Sequence, residues 1–466
     1  MKEAFENLRC LVVGTGVSGR GAAKLLLSIG AVVILFDENE NVDTDSIRAD
    51  FGKDERIRVI KGNLPYEVKN SIDLVVLSPG VPLSNPLCQY FSEKDTEIIG
   101  EVELAYSCGK GDVLAITGTN GKTTTTTLLG EIMKNYAEKD GRGRKVFVVG
   151  NIGDPYTLYA DEMEDDTITV AEISSFQLET VKSFKPKVSA VLNITPDHLN
   201  RHHTMENYAA VKKRITENQV EGDVIVLNYS DPITRKMAEG QKGKVVFFSR
   251  IPVEHEEWIK AAGDDGDMVF LDGKDIIYND RRIISTDETR LLGSHNYENI
   301  MAAIAMAVSY GVDDETIRET VRNFKAVEHR IEFVENVEGV DYFNDSKGTN
   351  PDASIKAVEA MIRPTILIGG GYDKKSSFDE LIDSFDGKVK LLVLIGETAE
   401  LIRDTAFKKG FDKVLMASDL KEAVRLCHDN AESGDAVLLS PACASWDQFK
   451  NYEERGNLFK EYVRAL

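Results

Sequence analysis

The sequence predicts an α/β protein whose domains are wound around mostly parallel sheets, and three observations carry that prediction. The chain has 466 residues, which at about 150 residues per domain corresponds to roughly three domains. Short apolar runs alternate with helix-like segments along most of it, the pattern of βαβ units. Each apolar run is followed within a few residues by Gly, Ser, Pro, Asn or Asp, the chemistry of loops at strand ends.

Taken in order, buried strands are expected at 11–13, 32–36, 74–77, 146–149, 168–170, 188–192, 224–227, 366–368, 391–395 and 437–439. Between about 242 and 293 the runs shorten to KVVFFS, DGDMVF and the charged Asp280-Arg281-Arg282, which predicts an antiparallel appendage. Helical segments give way to new strands near 100 and near 326, so the domains are read as 1–100, 101–326 and 327–466.

Composition narrows the function. Lys and Arg number 56 against 78 Asp and Glu, a formal charge of −22, which disfavours nucleic acid and anionic membranes as partners because both need clustered cations. No apolar run approaches the roughly 18 residues that span a bilayer, and the opening MKEAFENLRC is charged where a signal peptide would be apolar. Five cysteines without a CxxC pair (Cys10, Cys88, Cys108, Cys427, Cys443) indicate neither a disulfide framework nor a zinc site. A cytoplasmic, monomeric enzyme handling small molecules is the expectation.

Two glycine loops carry chemistry. Gly14-Thr15-Gly16-Val17-Ser18-Gly19 follows the strand RCLVV and precedes a helix, fitting G-x-G-x-x-G, in which a phosphate sits at the helix N-terminus. Asp37 ends the next strand, where an acidic residue meets a ribose hydroxyl in dinucleotide folds. Alone, this loop predicts NAD and an oxidoreductase, although any nucleotide can use such a helix terminus. The second loop, Thr117-Gly118-Thr119-Asn120-Gly121-Lys122-Thr123-Thr124, lies between the strand VLAI and a long helix. Its glycines free the backbone to wrap phosphates, Lys122 can reach the β- and γ-phosphates and Thr123 can ligate Mg²⁺. Ile116 stands where the usual phosphate loop has Gly, so this is a variant. It predicts ATP.

TGTNGKTTT, Gly150-Asn151-Ile152-Gly153, Glu172-Ile173-Ser174-Ser175-Phe176-Gln177-Leu178-Glu179, Asn193-Ile194-Thr195-Pro196-Asp197-His198-Leu199, Ser294-His295-Asn296-Tyr297-Glu298-Asn299, Glu328-His329-Arg330 and Asn344-Asp345-Ser346-Lys347-Gly348-Thr349-Asn350 together resemble the Mur ligase superfamily. The resemblance keeps the family's order over nearly the whole chain. It implies a Rossmann-like first domain holding UDP rather than NAD, a central phosphate-loop ATPase-like domain, and a Rossmann-like third domain that binds the amino acid. Ser78-Pro79-Gly80, Gly100-Glu101-Val102-Glu103-Leu104 and Ser440-Pro441-Ala442-Cys443-Ala444-Ser445-Trp446-Asp447-Gln448-Phe449 are similar to the D-glutamate-adding branch. That branch joins the carboxylate of UDP-N-acetylmuramoyl-L-alanine to the amine of D-glutamate in peptidoglycan precursor synthesis. An acyl phosphate forms on the way, and ATP becomes ADP and phosphate. Another Mur ligase, or an oxidoreductase using the first loop, is the alternative.

The resemblance also implies roles, each with a plainer alternative. Gly118, Thr119, Asn120, Gly121, Lys122, Thr123, Thr124, Asn296, Asn299, Arg330, Asp345 and Lys347 would bind ATP, with Asp345 at the ribose and Lys347 near the phosphates. Thr123 and Glu172 would hold one Mg²⁺, and His198 with a carbamylated Lys212 a second; Lys122, Glu172, His198 and Lys212 form the catalytic set. Read singly, Glu172 could cap a helix, His198 could be a loop histidine, Lys212 a solvated helical lysine and the two Asn residues helix caps. Lys213 adjoins Lys212, and Lys375 adjoins Lys374, so each neighbour is an alternative. Gly14, Val17, Ser18, Asp37, Glu38, Ser78, Gly80, Asn151 and Ser174 would face the UDP-linked substrate, and Thr349, Lys374, Ser445 and Tyr452 D-glutamate. Because open water would hydrolyse an acyl phosphate, closure of the third domain is expected before chemistry.

Overall fold

The computed structural model describes residues 2–151, 153–263, 266–291, 293–325 and 327–466. Ile152 of the Gly150–Gly153 motif and the boundary expected at 326 therefore lie outside the described residues. Three α/β sheets follow one another along the chain.

The first sheet has strands β1 (Arg9–Val13), β2 (Val32–Asp37), β3 (Ile57–Lys61), β4 (Leu74–Leu77) and β5 (Glu97–Gly100), all parallel in the order β3-β2-β1-β4-β5. β4 is buried at every residue and β1 at all but its first, as strands covered on both faces must be. Each such Leu or Val contributes about 1.5–3 kcal/mol of transfer free energy. The helix Val17–Ser28 closes one face with Ala22, Ala23, Leu25, Leu26 and Leu27. Strand order reverses beside β1, so the loops after β1 and β4 open a crevice at the carboxyl edge.

The second sheet has β6 (Asp112–Thr117), β7 (Val146–Gly150), β8 (Ile168–Glu172), β9 (Val188–Val191), β10 (Val224–Asn228), β11 (Lys244–Ser249), β12 (Asp267–Asp272), β13 (Asp275–Tyr278) and β14 (Arg281–Ser285). Their order is β14-β13-β12-β11-β10-β9-β6-β8-β7, antiparallel only across β12-β13-β14. This corrects the expected appendage in one respect. KVVFFS runs parallel between β10 and β12, because its five consecutive buried residues suit a strand covered on both faces. Only 267–285 form antiparallel strands, and they extend the main sheet.

The third sheet has β15 (Glu332–Val337), β16 (Val340–Asn344), β17 (Thr365–Gly369), β18 (Val389–Leu394), β19 (Val414–Met416) and β20 (Ala436–Leu439) in the order β15-β16-β20-β17-β18-β19. Only the edge strand β15 is antiparallel. The first two sheets belong to one compact unit, which ends at Thr286 and resumes over Glu298–Val321; Asp287–Tyr297 and Arg322–Leu466 form the second. Among the described residues no helix is long and apolar enough to cross a membrane.

Candidate active site

In the first sheet the loop after β1 turns back on itself. Gly14 has φ +101°, and a Cβ on Gly19 would stand 1.8 Å from the Gly14 carbonyl oxygen, so both positions require glycine. Asp37 Oδ2 accepts from Thr15 N at 3.0 Å and Thr15 Oγ1 at 2.7 Å, and its Oδ1 accepts from Asn39 N at 3.0 Å. Burial pushes its carboxyl up, but the Thr15 and Asn39 hydrogen bonds outweigh that and hold its pKa below the ordinary value. Asp37 thus anchors the glycine loop. Val17 is exposed at the start of its helix, Ser18 follows it, and Ser78 Oγ donates to Gly14 O at 3.4 Å across the crevice. Glu38 accepts from Asn85 Nδ2 at 3.2 Å.

The phosphate loop joins β6 to the helix Lys122–Asp140. Asn193, after β9, fastens it: Asn120 N donates to Asn193 Oδ1 at 2.8 Å, Asn193 Nδ2 to Asn120 O at 3.0 Å, and Thr119 N to Asn193 O at 2.9 Å. Gly121 caps the helix at φ +83°, and a Cβ there would stand 2.1 Å from Asn299 Oδ1. Asn299 is buried on the helix Ser294–Tyr310, as is Asn296. Lys122 Nζ donates to Gly118 O at 3.0 Å and Thr119 O at 2.7 Å, placing its ammonium in the loop. Thr123 and Thr124 continue in the helix's first turn, with Thr124 buried.

Lys212 is 1% exposed and donates to the same Gly118 oxygen at 2.7 Å, with Thr117 Oγ1 at 3.4 Å. Burial foremost, then the charge of Lys122, hold its pKa well below the usual lysine range, against the opposing pull of Asp197 and Glu172. Lys213 points elsewhere, to Glu239 O on the exterior at 3.3 Å. The geometry therefore separates the two lysines that spacing left open. Glu172 ends β8, buried, with Oε1 accepting from Asn151 Nδ2 at 2.7 Å. Its Oε2 is buried with no hydrogen-bond partner among the described residues. The helix Ser175–Leu178 is capped by Ser174, whose Oγ accepts from Gln177 N, so Glu172 is not the cap. His198 caps the short helix Leu199–His202 at φ +53°, its ring 4.8 Å from that of Phe176.

These residues fit a hard divalent cation in the chemistry they offer: a buried carboxylate oxygen of Glu172 with no hydrogen-bond partner among the described residues, the Thr123 hydroxyl in the first turn after the loop, and a lysine whose pKa is lowered. Among the described residues no three His, Cys, Asp or Glu side chains gather into a metal cluster.

In the second unit the loops after β16, β17 and β20 leave the same sheet edge. Asp345 is buried, accepting from Ser440 Oγ at 2.6 Å and Ile331 N at 3.3 Å. Burial pushes its carboxyl up to about 7, against the Ser440 hydrogen bond and the charge of Arg330. Lys347 Nζ stands 3.6 Å over the Tyr452 ring. Lys374 Nζ reaches toward Thr349 O at 3.5 Å and lies 5.7 Å over the Trp446 ring, next to the buried Ser445. Lys375 has φ +59° and donates its N–H to Asp373. Lys374, Thr349, Ser445 and Tyr452 are thus all carried at this edge.

Three family models match in chain order: the Mur ligase MurD-like N-terminal domain over 8–100, the Mur ligase middle domain over 116–307 and the Mur ligase glutamate ligase domain over 329–443. The UDP-N-acetylmuramoylalanine--D-glutamate ligase of Lachnospira eligens is 52% identical over 99% of this chain and 100% of its own. That of Thermoanaerobacter sp. (strain X514) is 49% identical over 99% of each. The chain belongs to the Mur ligase family. Among solved structures, a UDP-N-acetylmuramate-alanine ligase from Thermotoga maritima superposes with TM-score 0.60 and 18% identity over 98% of this chain and 99% of that one. A MurF ligase from Thermotoga maritima in complex with ADP gives TM-score 0.58 and 16% identity over 100% and 97%. At these identities the likeness shows the shared three-domain fold alone.

Other residues of this Mur ligase were not legible as site residues. Arg455, fully buried, donates to Ser346 Oγ at 2.9 Å, Ser346 O at 2.8 Å and Cys443 O at 3.1 Å, tying the Asp345–Thr349 loop to the 440–445 loop. Burial lowers its pKa to about 10. Glu103 accepts from Lys182 N at 2.8 Å, Ser183 N at 2.8 Å and Phe184 N at 3.1 Å. Glu101 accepts from Thr157 N at 2.7 Å and Oγ1 at 2.8 Å. Two acidic residues of the GEVEL motif thereby fasten the first sheet's connection onto the second. Carboxylates that accept backbone N–H groups have no sequence signature beyond their charge.

Proposed function

We propose that this chain is the ATP-dependent ligase that joins the carboxylate of UDP-N-acetylmuramoyl-L-alanine to the amine of D-glutamate in peptidoglycan precursor synthesis. The observation that carries the reading is the convergence of Lys122 and Lys212 on Gly118 O, in a chain 52% identical to a ligase of that name. Lys122 would hold a transferring phosphoryl group, and beside it burial and the Lys122 charge pull the Lys212 pKa down. The NAD-dependent reading, open on the first loop alone, is not favoured.

A carboxylate is too poor an electrophile for an amine to attack, so a carboxylate oxygen first attacks the γ-phosphorus of ATP and ADP leaves. The amine of D-glutamate, having lost its extra proton, then attacks the acyl carbon, and phosphate leaves as the amide forms. Lys122 would donate to the moving phosphate oxygens at the N-terminus of its helix, with the loop before it held in place by Asn193. Thr123 and Glu172 would hold one Mg²⁺, and His198 with carbamylated Lys212 a second. Those ions would offset charge among three anionic reactants. Carbamylation needs an uncharged amine: the Lys212 nitrogen bonds the carbon of CO₂ and releases a proton, turning a donor into an oxygen ligand. The burial of Lys212 favours that uncharged form.

Thr124, Asn296, Asn299, Arg330, Asp345 and Lys347 are assigned to ATP. Gly14, Val17, Ser18, Asp37, Glu38, Ser78, Gly80, Asn151 and Ser174 are assigned to the UDP-linked substrate, and Thr349, Lys374, Ser445 and Tyr452 to D-glutamate. The protein is proposed to work as a monomer in the cytoplasm. The deciding assay is phosphate release by purified protein given ATP, Mg²⁺, UDP-N-acetylmuramoyl-L-alanine and, in parallel, D-glutamate, L-alanine, lysine or diaminopimelate. Release with D-glutamate only is expected; none above the blank, or release with another amino acid, overturns the reading.

A further inference from the structure

We infer that Arg201 is a positioning residue for the UDP-linked substrate, tying the 78–81 turn of the first sheet to the His198 loop of the second; this rests on the proposed ligase reaction. Ser78 and Gly80 in that turn are assigned to the nucleotide-bearing substrate, and His198 to the second Mg²⁺ beside Lys212. Arg201 is on the short helix that His198 caps. Its Nη1 donates to Pro79 O at 3.1 Å and Gly80 O at 3.4 Å, and its Nη2 to Val81 O at 3.3 Å.

The rest of the guanidinium is committed on the other side. Nε donates to Glu179 Oε1 at 3.0 Å and Nη2 to Glu179 Oε2 at 2.5 Å, a two-bond fork in which both side chains are 14% exposed. The guanidinium also covers the Phe176 ring at 4.3 Å, and that ring meets His198 at 4.8 Å. Phe176 and Glu179 lie in the segment Ile173–Glu179 that follows Glu172. One planar group therefore touches the substrate turn, the segment after Glu172 and the ring packed on His198. A substrate gripped at its nucleotide end reacts at its other end only if the intervening protein fixes the span, and a small displacement there costs rate steeply. Lysine cannot replace this fork, since it offers a point charge in place of planar donors.

Arg201 is not what keeps the two sheets docked. Glu101 and Glu103, both buried, hold them through hydrogen bonds of their own. Its loss should loosen the turn and leave the fold in place.

The test is steady-state kinetics and calorimetric binding on the native chain, Arg201→Lys, Glu179→Gln and the double variant. Arg201→Lys is expected to raise KM and Kd for the UDP-linked substrate at least about tenfold, with KM for ATP and for D-glutamate within about twofold and thermal unfolding unchanged. Glu179→Gln is expected to move the same constants by less, and the double variant to be no worse than Arg201→Lys, as for two groups in one contact. KM and Kd for the UDP-linked substrate within about twofold of native overturn the inference. So does an equal loss toward all three substrates with a lowered unfolding temperature, the mark of a purely structural role. A native chain without activity refutes the ligase reading instead, and binding then decides: tenfold weaker binding by Arg201→Lys supports the positioning role, and equal binding overturns it.

Discussion

Gly121→Ala tests the phosphate loop at a single added methyl group. Gly121 has φ +83°, and its new Cβ would stand 2.1 Å from Asn299 Oδ1, 3.1 Å from Asn299 Cγ and 3.3 Å from Leu192 Cδ1. The left-handed conformation costs a non-glycine residue about 1–2 kcal/mol. The buried Asn299 amide must also swing away from Thr125 Oγ1, which approaches its Oδ1 at 3.5 Å, and stranding it adds about 1–2 kcal/mol. The total of about 2–4 kcal/mol corresponds, at about 2 °C per kcal/mol for a large domain, to a Tm lower by about 4–8 °C. Gly141 ends the same helix at φ +67° with nothing within 4 Å of a Cβ, so Gly141→Ala carries the conformational cost alone. Differential scanning calorimetry and ATP titration on both variants separate the terms. Gly121→Ala should lose both stability and ATP affinity, and Gly141→Ala only the smaller share of stability. Native ATP affinity in Gly121→Ala, or equal Tm shifts in the two variants, would refute the reasoning.

Further outcomes follow from the same geometry. Lys122→Ala should lower turnover by about a thousandfold or more, with circular dichroism and unfolding midpoint near native; retained turnover contradicts the assignment. With isotope-labelled bicarbonate, an NMR carbamate resonance should appear in the native chain and in Lys213→Arg and vanish in Lys212→Arg, because Lys212 is buried with a lowered pKa while Lys213 reaches to Glu239 O on the exterior. Asp345 has a folded pKa raised to about 7, so the folded chain holds a proton that the unfolded chain releases near pH 4. The stability this provides is complete below about pH 4 and lost as pH rises through about 7, on the order of 2–4 kcal/mol. Asp345→Asn should flatten that loss in urea unfolding of nucleotide-free protein; parallel pH profiles would contradict it.

Ten apolar runs marked strands because a parallel strand buried on both faces reads as an unbroken apolar stretch; all ten fall on strands of the three sheets, with 188–192 and 391–395 each running one residue past the strand end. β15, with burial alternating along Glu332–Val337, and the three-residue β19 carry too little apolar signal to stand out. KVVFFS was legible as a strand but not its direction, since orientation depends on partners distant in sequence. At the site, Lys122 and Gly121 were legible because a phosphate loop is contiguous. Whether Lys212 or Lys213 faces inward is a matter of burial, which one lysine beside another does not encode. Arg455 and Arg201 act by closing contacts over long separations, so nothing local announced them; Asn193 and Glu103 lie within quoted motifs, but which distant groups they hold was not legible there.

Acyl-phosphate formation at the Lys122 loop is tested most directly by following the carboxylate's own oxygen. UDP-N-acetylmuramoyl-L-alanine carrying heavy oxygen in its alanyl carboxylate is turned over with ATP, Mg²⁺ and D-glutamate, and the released phosphate is weighed by mass spectrometry. The mechanism predicts one heavy oxygen in the phosphate for each amide formed, since that oxygen bridges carbon and phosphorus before the amine displaces it. Unlabelled phosphate accompanying amide formation would contradict it.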